Sequence, residues 1–281
     1  MSGPVLHLVR TPVASAALRA FAAYQGVLDD DLGYALHLAL RRRFGAAAPQ
    51  PWRLMPGRDG GPEMLLGYSQ DPDALRSADP RAIARPEAPP DWEADWRGDQ
   101  DAGSASAESA LAALFPQPFE AKAMPRAFAE GAAYGFALRV RPVVRYGPRA
   151  AEARSAADRR GGQERDAFLA ALERRDRSGR TEESDPLDRE RVYRAWLEQR
   201  LGTAAALSAF RLVSHRRIRT VRSVPLDAAS RRRPGFAGPE TVVDGGLTVA
   251  DPAAFAVLLA RGVGRHGAFG FGMLLLRPAG R

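Results

Sequence analysis

The stretch 262–272 reads Gly262-Val263-Gly264-Arg265-His266-Gly267-Ala268-Phe269-Gly270-Phe271-Gly272, with five glycines in eleven residues. This density of glycine predicts a backbone that turns tightly and approaches another group closely. Gly262, Gly264 and Gly267 also fit the Gly-x-Gly-x-x-Gly pattern of dinucleotide sites, but such a loop follows a strand and opens a helix. Here a helical pattern precedes the glycines and an apolar strand, 273–276, follows them, so no nucleotide cofactor is expected. An ordinary turn between a helix and a last strand remains the alternative.

Composition limits the classes of protein that fit. At 281 residues, with 45% hydrophobic and 26% charged residues, the chain has room for two small domains or one large one. No run of roughly 18 apolar residues occurs and residues 1–10 lack a signal-peptide core, so we expect a soluble cytoplasmic protein without a membrane segment. Cysteine is absent and the four histidines, His7, His37, His215 and His266, are scattered. We therefore predict no disulfide, no metal and no cofactor.

Arginine dominates the charge of the chain. The net charge is +8 and, of 41 basic residues, only Lys122 is a lysine. The arginines cluster at 41–43, 216–222 and 231–233, and guanidinium groups suit phosphate binding and stacking on bases. Such a basic surface indicates a nucleic acid first and an anionic membrane second. A GC-rich genome, which also enriches alanine, glycine and proline, remains a simpler explanation of part of the bias.

Patterns in the first half predict one ferredoxin-like unit. We expect an opening strand at 5–10, a connecting segment, a helix from about 32 to 44 that ends at Gly45, and a hairpin of strands 52–55 and 63–68. Residues 77–109, rich in Asp, Pro, Ala and Ser, are predicted to be a surface insertion. A short helix at 107–114 then leads to a strand at 119–124. The first domain is therefore predicted to cover 1–128.

The second half repeats this order and is predicted to be a second domain, 129–281. A strand at 133–142 carries Arg139 and Arg141, and a charge-rich, partly helical insertion is expected at about 148–187. An amphipathic helix is predicted at 188–201. Its inward residues are expected to be Val192, Ala195, Trp196 and Leu201. Further strands are expected at 210–213, on toward 224, at 240–243, at 246–249 and at 273–276, with a helix to 260 capped by Asp251. The predicted fold class is α+β, with two tandem ferredoxin-like (RRM-like, βαββαβ) domains and a glycine-rich loop after the second.

Three polar residues share one face of the first predicted helix. Tyr34 and His37 are three residues apart, and Arg41 lies one turn beyond His37. Imidazole changes its protonation state near neutral pH, so His37 is the natural proton carrier of this face. A tyrosine and a histidine are also common at the edge of an amphipathic helix with no catalytic role. The spacing alone leaves both interpretations open.

Four separated motifs occur in an order that resembles one protein family. They are Tyr34-Ala35-Leu36-His37, then Phe115-Pro116-Gln117-Pro118-Phe119 through Phe136-Ala137-Leu138-Arg139-Val140-Arg141-Pro142, then Ala195-Trp196-Leu197-Glu198-Gln199-Arg200-Leu201-Gly202, and last the glycine stretch with its preceding helix. Together they are similar to the CRISPR RNA-processing endoribonucleases, closest to the CasE type of the type I-E (Cascade) effector complex. The resemblance spans nearly the whole chain apart from the two predicted insertions.

The resemblance implies two tandem ferredoxin-like domains and metal-independent cleavage of a CRISPR repeat stem-loop RNA at the base of the stem. In that chemistry the ribose 2′-hydroxyl attacks the adjacent phosphate and leaves a 2′,3′-cyclic phosphate and a 5′-hydroxyl. It further implies that the mature guide RNA stays bound and that other subunits of a Cascade-type complex are partners. His37 would act as acid or base, and Tyr34 would position the ribose or assist proton transfer. Arg41, assigned from helix geometry alone, would face the phosphate.

The RNA-binding surface is predicted from the basic clusters and the glycine loop. Its candidates are Arg42, Arg139, Arg141, Arg216, Arg217, Arg219, Arg222, Gly262, Gly264, Arg265, His266, Gly270 and Gly272. Shape and phosphate contacts should dominate, because A-form RNA hides its base edges in a deep major groove. His266 stands where the family pattern has no histidine, and it is the rival of His37 for the catalytic role. A non-catalytic RNA-binding subunit is the alternative function.

Overall fold

A computed structural model describes residues 5–25, 27, 32–57, 61–77, 101–145, 164–179, 186–221 and 235–279 of the chain. Of residues 101–106, 219–221, 235 and 236 it describes only the backbone. Arg222 and the arginines at 231–233 therefore lie outside the described residues. Within the described segments, no helix has both the length and the apolar character needed to cross a lipid bilayer.

The first half forms a four-stranded antiparallel sheet against which helices pack. Its elements are β1 (His7–Val13), α1 (Ser15–Tyr24), α2 (Gly33–Phe44), β2 (Trp52–Met55), β3 (Glu63–Ser69), α3 (Pro72–Ser77), α4 (Asp101–Leu114) and β4 (Glu120–Ala123). The strands lie in the order β2-β3-β1-β4, with Val9 paired to Gly67 of β3 and to Ala121 of β4. Leu18 of α1 and Leu36 of α2 pack with Val9 in one buried cluster. This order and connectivity are those of the ferredoxin-like fold.

The segment expected to be a simple connection after β1 contains a helix, α1. Leu18, Phe21 and Ala22 are its buried residues, at the spacing that brings side chains onto one helical face. Alanine, the strongest helix former, fills much of the rest of the segment. The prediction of only a connecting segment was therefore wrong, since the apolar period of a helix is present in this stretch. α1 packs against α4, which itself begins at Asp101 and so reaches into the predicted insertion.

The second half forms another four-stranded antiparallel sheet, in the order β10-β5-β9-β8. Its elements are β5 (Ala133–Val140), β6 (Val143–Arg145), β7 (Glu164–Asp166), α5 (Ala167–Arg177), α6 (Arg189–Leu201), β8 (Ala205–Val221), β9 (Gly235–Val249), α7 (Pro252–Arg261) and β10 (Leu274–Pro278). Without β6, β7 and α5, the strand order repeats that of the first sheet. The fold is thus α+β with tandem ferredoxin-like units, as predicted, whereas the domain boundary at 128 stays a prediction.

Side-chain caps fix the start of the two helices that pack on the second sheet. The carboxylate of Asp188 accepts the N–H of Arg191 at the start of α6, and that of Asp251 accepts two N–H groups at the start of α7. The buried residues of α6 are Tyr193, Trp196, Leu197 and Leu201. Ala195, expected to face inward, is exposed. That expectation was wrong because the set at 193, 196, 197 and 201 defines the inward face, and 195 lies outside it.

The predicted second insertion adds a small layer beside the second sheet. β6 and β7 pair as a two-stranded antiparallel sheet, and α5 follows β7 directly. Asp166 at the end of β7 caps α5 and also accepts the hydroxyl of Tyr193 at 2.9 Å. The partly helical character expected of this insertion is confirmed. The hydrogen bond between Asp166 and Tyr193 holds β7 against α6.

The two halves are joined by buried polar contacts as well as by apolar packing. The hydroxyl of Tyr68 on β3 donates to the carbonyl of Leu274 on β10 at 2.8 Å. Tyr68 is buried and belongs to the same apolar cluster as Phe136 of β5 and Phe255 of α7. β3 of the first sheet thus packs against the second unit, which brings α2 close to the glycine loop.

Candidate active site

The glycine stretch forms a closed loop that presents Phe269 to the first half of the protein. The N–H of Val263 donates to the carbonyl of Gly272, and the N–H of Gly272 donates to the carbonyl of Arg139, each at 2.8 Å. A short 3-10 turn, Gly267–Phe269, forms the tip. The indole N–H of Trp52 on β2 donates to the carbonyl of Ala268 at 3.1 Å. The first sheet therefore holds the tip of a loop that belongs to the second unit.

Gly270 and Gly272 are required by the closeness of this packing. Both have positive φ angles, 83° and 81°. A Cβ atom on Gly270 would lie 2.6 Å from the ring of Trp52, and one on Gly272 would lie 2.5 Å from the carbonyl oxygen of Val263. The close approach predicted from the sequence is thus an approach to protein groups. Contact of these glycines with an RNA backbone stays a prediction.

The predicted catalytic face of α2 is turned toward the loop. The ring centroid of Phe269 lies 5.8 Å from that of Tyr34 and 5.4 Å from that of His37, the second contact edge-on. Tyr34 is buried and His37 is half-buried. Because the two residues are three apart on one helix, they meet the same aromatic ring. The structure therefore places Tyr34 and His37, the two residues of the Tyr-x-x-His motif, side by side against Phe269.

The environment of His37 keeps its imidazole neutral. Burial, and then the positive charge of Arg41, lower the pKa of His37 from its usual 6.5 to about 4. At pH 7 the ring is therefore neutral, the form that a general base requires. Arg41 is exposed one turn further along α2, so its guanidinium is open to an approaching phosphate. The catalytic roles of Tyr34, His37 and Arg41 remain predictions.

His266 lies at the start of the loop tip, on the same aromatic ring. Its ring centroid is 6.1 Å from that of Phe269. Its Nε2 lies 2.6 Å from Oε2 of Glu164, and Nε of Arg265 lies 2.5 Å from Oε1 of the same carboxylate. Burial alone would raise the pKa of Glu164, but its hydrogen bond to His266 and the charges of His266 and Arg265 lower it. Two residues predicted to contact RNA thus share one carboxylate partner from β7.

Arg139 and Arg141 lie inside the protein. Arg141 is 1% exposed, and its guanidinium is 5.7 Å from the ring centroid of Phe271. The guanidinium of Arg139 lies 4.2 Å from the same ring centroid and donates to Glu240 at 2.9 Å. The alternation of residues along β5 predicted that Arg139 and Arg141 share one face of the strand. In the structure, Phe271 of the glycine loop packs against that face. A role of these two arginines in RNA binding stays a prediction, and protein groups surround both.

A cavity of about 400 Å³ lies between β2 and the second sheet. Arg53, Arg139, Arg216 and Glu240 are among its lining residues. Glu240 is 6% exposed and accepts from Arg139 and from Arg216, both at 2.9 Å. Burial by itself would raise the pKa of Glu240, but the hydrogen bonds and charges of the two arginines lower it. Burial, and then the charge of Arg139, lower the pKa of the nearby Arg53.

The remaining predicted RNA contacts are spread over three places. Arg42 is exposed on α2, and Arg217 is exposed on β8 beside Arg216, whose side chain is 62% exposed. Arg219 continues β8, where only its backbone is described. Gly262 and Gly264 pack against protein groups: a Cβ atom would lie 3.1 Å from Pro51 in the first case and 3.0 Å from Trp196 in the second. Arg222, as noted, is outside the described residues.

Comparison with known proteins places this chain in a family. A family model described as CRISPR associated protein matches residues 6–278, which is almost the entire sequence. The chain belongs to the CRISPR-associated protein family. A search of curated protein sequences found no significant match.

Two solved structures of the CRISPR endoribonuclease Cse3 resemble this CRISPR-associated protein along its whole length. Cse3 bound to a 19 nt RNA is 20% identical, with 98% of this chain and 100% of that chain covered and a TM-score of 0.56. Thermus thermophilus Cse3 bound to an RNA that represents a pre-cleavage complex is also 20% identical, with the same coverage and a TM-score of 0.55. At this identity the likeness shows a shared fold, that of tandem ferredoxin-like units.

Two residues of the site were missed by sequence reasoning. Phe269 lies within the glycine stretch, yet nothing in the sequence indicates that Tyr34, His37 and His266 would meet around it. Glu164 lies in a charge-rich insertion and pairs with a residue 102 positions away. A carboxylate among many charged residues carries no local signal. Only the packing of β7 in this CRISPR-associated protein reveals its partner.

Proposed function

We propose that this CRISPR-associated protein is a metal-independent endoribonuclease that cuts a CRISPR repeat stem-loop RNA at the base of the stem. The observation that carries the proposal is the packing of Tyr34 and His37 against Phe269 of the glycine loop. Family membership and the fold shared with Cse3 support it. Those Cse3 structures are of a CRISPR endoribonuclease bound to RNA.

The proposed reaction is an internal transesterification. The 2′-oxygen forms a bond to the adjacent phosphorus while the bond from phosphorus to the 5′-oxygen breaks, so the 2′-hydroxyl loses a proton and the 5′-oxygen gains one. The products are a 2′,3′-cyclic phosphate and a 5′-hydroxyl. His37 is a proton-transfer group in this reaction, a role worth about 10²–10⁴-fold in rate.

Two neighbours of His37 complete the proposed site. Tyr34 positions the ribose and the imidazole on the face of α2 that meets the loop. Arg41 neutralises charge on the phosphorane, and a fixed donor of this kind contributes ~3 kcal/mol to a transition state. Because Arg41 is exposed while His37 is half-buried, the phosphate reaches the site from the solvent side of α2.

The hairpin of β8 and β9 supplies the proposed surface for the RNA stem. The two strands are 17 and 15 residues long, and Arg216 and Arg217 on β8 are exposed. Contacts with phosphates along an A-form stem need positive charge and shape in preference to base readout. Retention of the mature guide RNA and association with other subunits of a Cascade-type complex belong to the same proposal and draw on family membership.

Cleavage in the presence of EDTA tests this function. We expect the protein to cut its stem-loop repeat RNA once, and mass spectrometry should find one product lighter by a water than a linear 3′-phosphate and the other with a 5′-hydroxyl. The control is the same RNA with a single 2′-deoxy nucleotide at the cut position, which should bind equally and stay intact. Tight binding without cleavage of the ordinary RNA would instead identify a non-catalytic RNA-holding subunit.

A further inference from the structure

His266 has an unusual backbone conformation. It lies in the left-handed region, with φ 66° and ψ 26°, and among the described residues it is the only non-glycine with positive φ. Side chains with a Cβ atom adopt this conformation at a cost in free energy, so it persists only where the surroundings enforce it. Such residues concentrate at functional sites. The conformation makes His266 a candidate for a role beyond loop packing.

The carboxylate of Glu164 fixes the imidazole of His266. Nε2 lies 2.6 Å from Oε2, and the side chains of His266 and Glu164 are only 13% and 19% exposed. Arg265 occupies the other carboxylate oxygen, so Glu164 is oriented from two sides. Nε2 must carry a hydrogen to bond to a carboxylate, and therefore Nδ1 is the atom at which His266 can exchange a proton.

The two imidazoles of the site lie in different electrostatic surroundings around one ring. His37 and His266 both contact Phe269, at 5.4 and 6.1 Å between ring centroids. The charge of Arg41 on the same helix acts on His37, whereas His266 is hydrogen-bonded to Glu164 of β7, which also pairs with Arg265 of the loop. Burial and the charge of Arg41 lower the pKa of His37 to about 4. At pH 7 His37 is therefore in the neutral form that a general base requires, and the hydrogen bond to Glu164 fixes the orientation of the ring of His266.

We propose that His37 and His266 are the acid–base pair of the cleavage site, in which His37 accepts the proton of the attacking 2′-hydroxyl and His266 donates a proton to the leaving 5′-oxygen. The inference rests on the proposed function. The new bond joins the 2′-oxygen to phosphorus, and the bond from phosphorus to the 5′-oxygen breaks. His37 ends protonated and His266 neutral, and exchange with water restores both, so no further reactant is needed. Glu164 is a positioning residue that acts through His266.

A substrate with a sulfur leaving group separates the two roles. In one RNA the 5′-oxygen at the cut site is retained, and in the other it is replaced by sulfur. A thiol has a pKa of about 8.5 in cysteine, so sulfur leaves as a thiolate without a proton, whereas an alkoxide needs one. Single-turnover rates in EDTA are measured at saturating protein for the wild type, His266→Asn, Glu164→Gln and His37→Ala. Asparagine suits the variant because it tolerates the left-handed region.

We expect His266→Asn to slow cleavage of the oxygen RNA by about 10²–10⁴-fold and to cut the sulfur RNA at close to the wild-type rate. Glu164→Gln should show the same pattern with a smaller loss, and His37→Ala should be slow on both RNAs. Equal slowing of both RNAs by His266→Asn would mean a structural role and would overturn the proposal, as would no slowing of either. Thermal unfolding and RNA binding of each variant are measured alongside. If the wild type cuts neither RNA, the proposed function itself fails and this inference fails with it.

Discussion

Replacing His37 by alanine is expected to lower the single-turnover rate of repeat RNA cleavage by about 10²–10⁴-fold, the usual contribution of a proton-transfer group. The dissociation constant for the RNA should stay within a few-fold of the wild-type value. The reason is that His37 is half-buried against Phe269 on α2, whereas the exposed arginines that are proposed to hold the stem belong to β8. The rate constant is measured at saturating protein, so that any loss of binding does not enter it.

The matched control for this variant is His215→Ala. His215 is also a histidine with a lowered pKa, caused first by burial, but its ring packs against Tyr193 and has no part in the proposed reaction. The His215→Ala protein should cleave the RNA at the wild-type rate under the same conditions. A His37→Ala protein that cleaves as fast as His215→Ala would rule out His37 as a proton-transfer group.

Replacing Glu240 by alanine is expected to lower the free energy of unfolding by about 3 kcal/mol, because removal of one partner strands a buried charge. Glu240 is 6% exposed, and the side chain of its partner Arg139 is 11% exposed. Without the carboxylate, the cation of Arg139 would remain near the cation of Arg53, and the two positive charges repel each other. The second partner, Arg216, contributes little, since its side chain is 62% exposed and water can solvate it.

Glu120→Ala is the matched control for Glu240→Ala. Glu120 pairs with Arg10 at 2.7 Å, but both side chains are more than half exposed, 63% and 57%. Exposed pairs of this kind contribute about 0–1 kcal/mol. Urea unfolding monitored by tryptophan fluorescence should therefore separate the two variants clearly. If Glu240→Ala and Glu120→Ala lower the free energy of unfolding by similar amounts, the Arg139–Glu240 pair contributes no more than an exposed pair, which would contradict the prediction.

Local patterns in the sequence predicted the features that depend on neighbouring residues, such as helix starts and the residues that share a helix face. Asp251 caps α7 as predicted, α6 covers the stretch predicted to be helical, and the repeated strand and helix order leads to the same sheet order in both halves. The Tyr34 and His37 spacing placed both residues on one face of α2 because helical geometry alone decides it. Helix α1 was not predicted, although its apolar period is present in the sequence.

Contacts between distant segments could not be predicted in this way. Alternation on β5 indicates which face Arg139 occupies, but it does not reveal that Phe271 of the glycine loop covers that face. In the same way, nothing near Glu164 indicates a partner at His266. Both contacts depend on how the loop closes onto the two sheets, and that closure depends on Trp52 and on glycines too close to their neighbours to carry a side chain.

The most direct test of the central claim is the structure of the protein bound to a repeat RNA that carries one 2′-deoxy nucleotide at the cut position. The account predicts that the scissile phosphate lies beside Phe269, with the imidazoles of His37 and His266 within about 3 Å of the reacting oxygens, and that the stem follows the exposed arginines of β8. A scissile phosphate elsewhere, for example in the cavity lined by Arg53 and Arg139, with His37 out of reach, would contradict it.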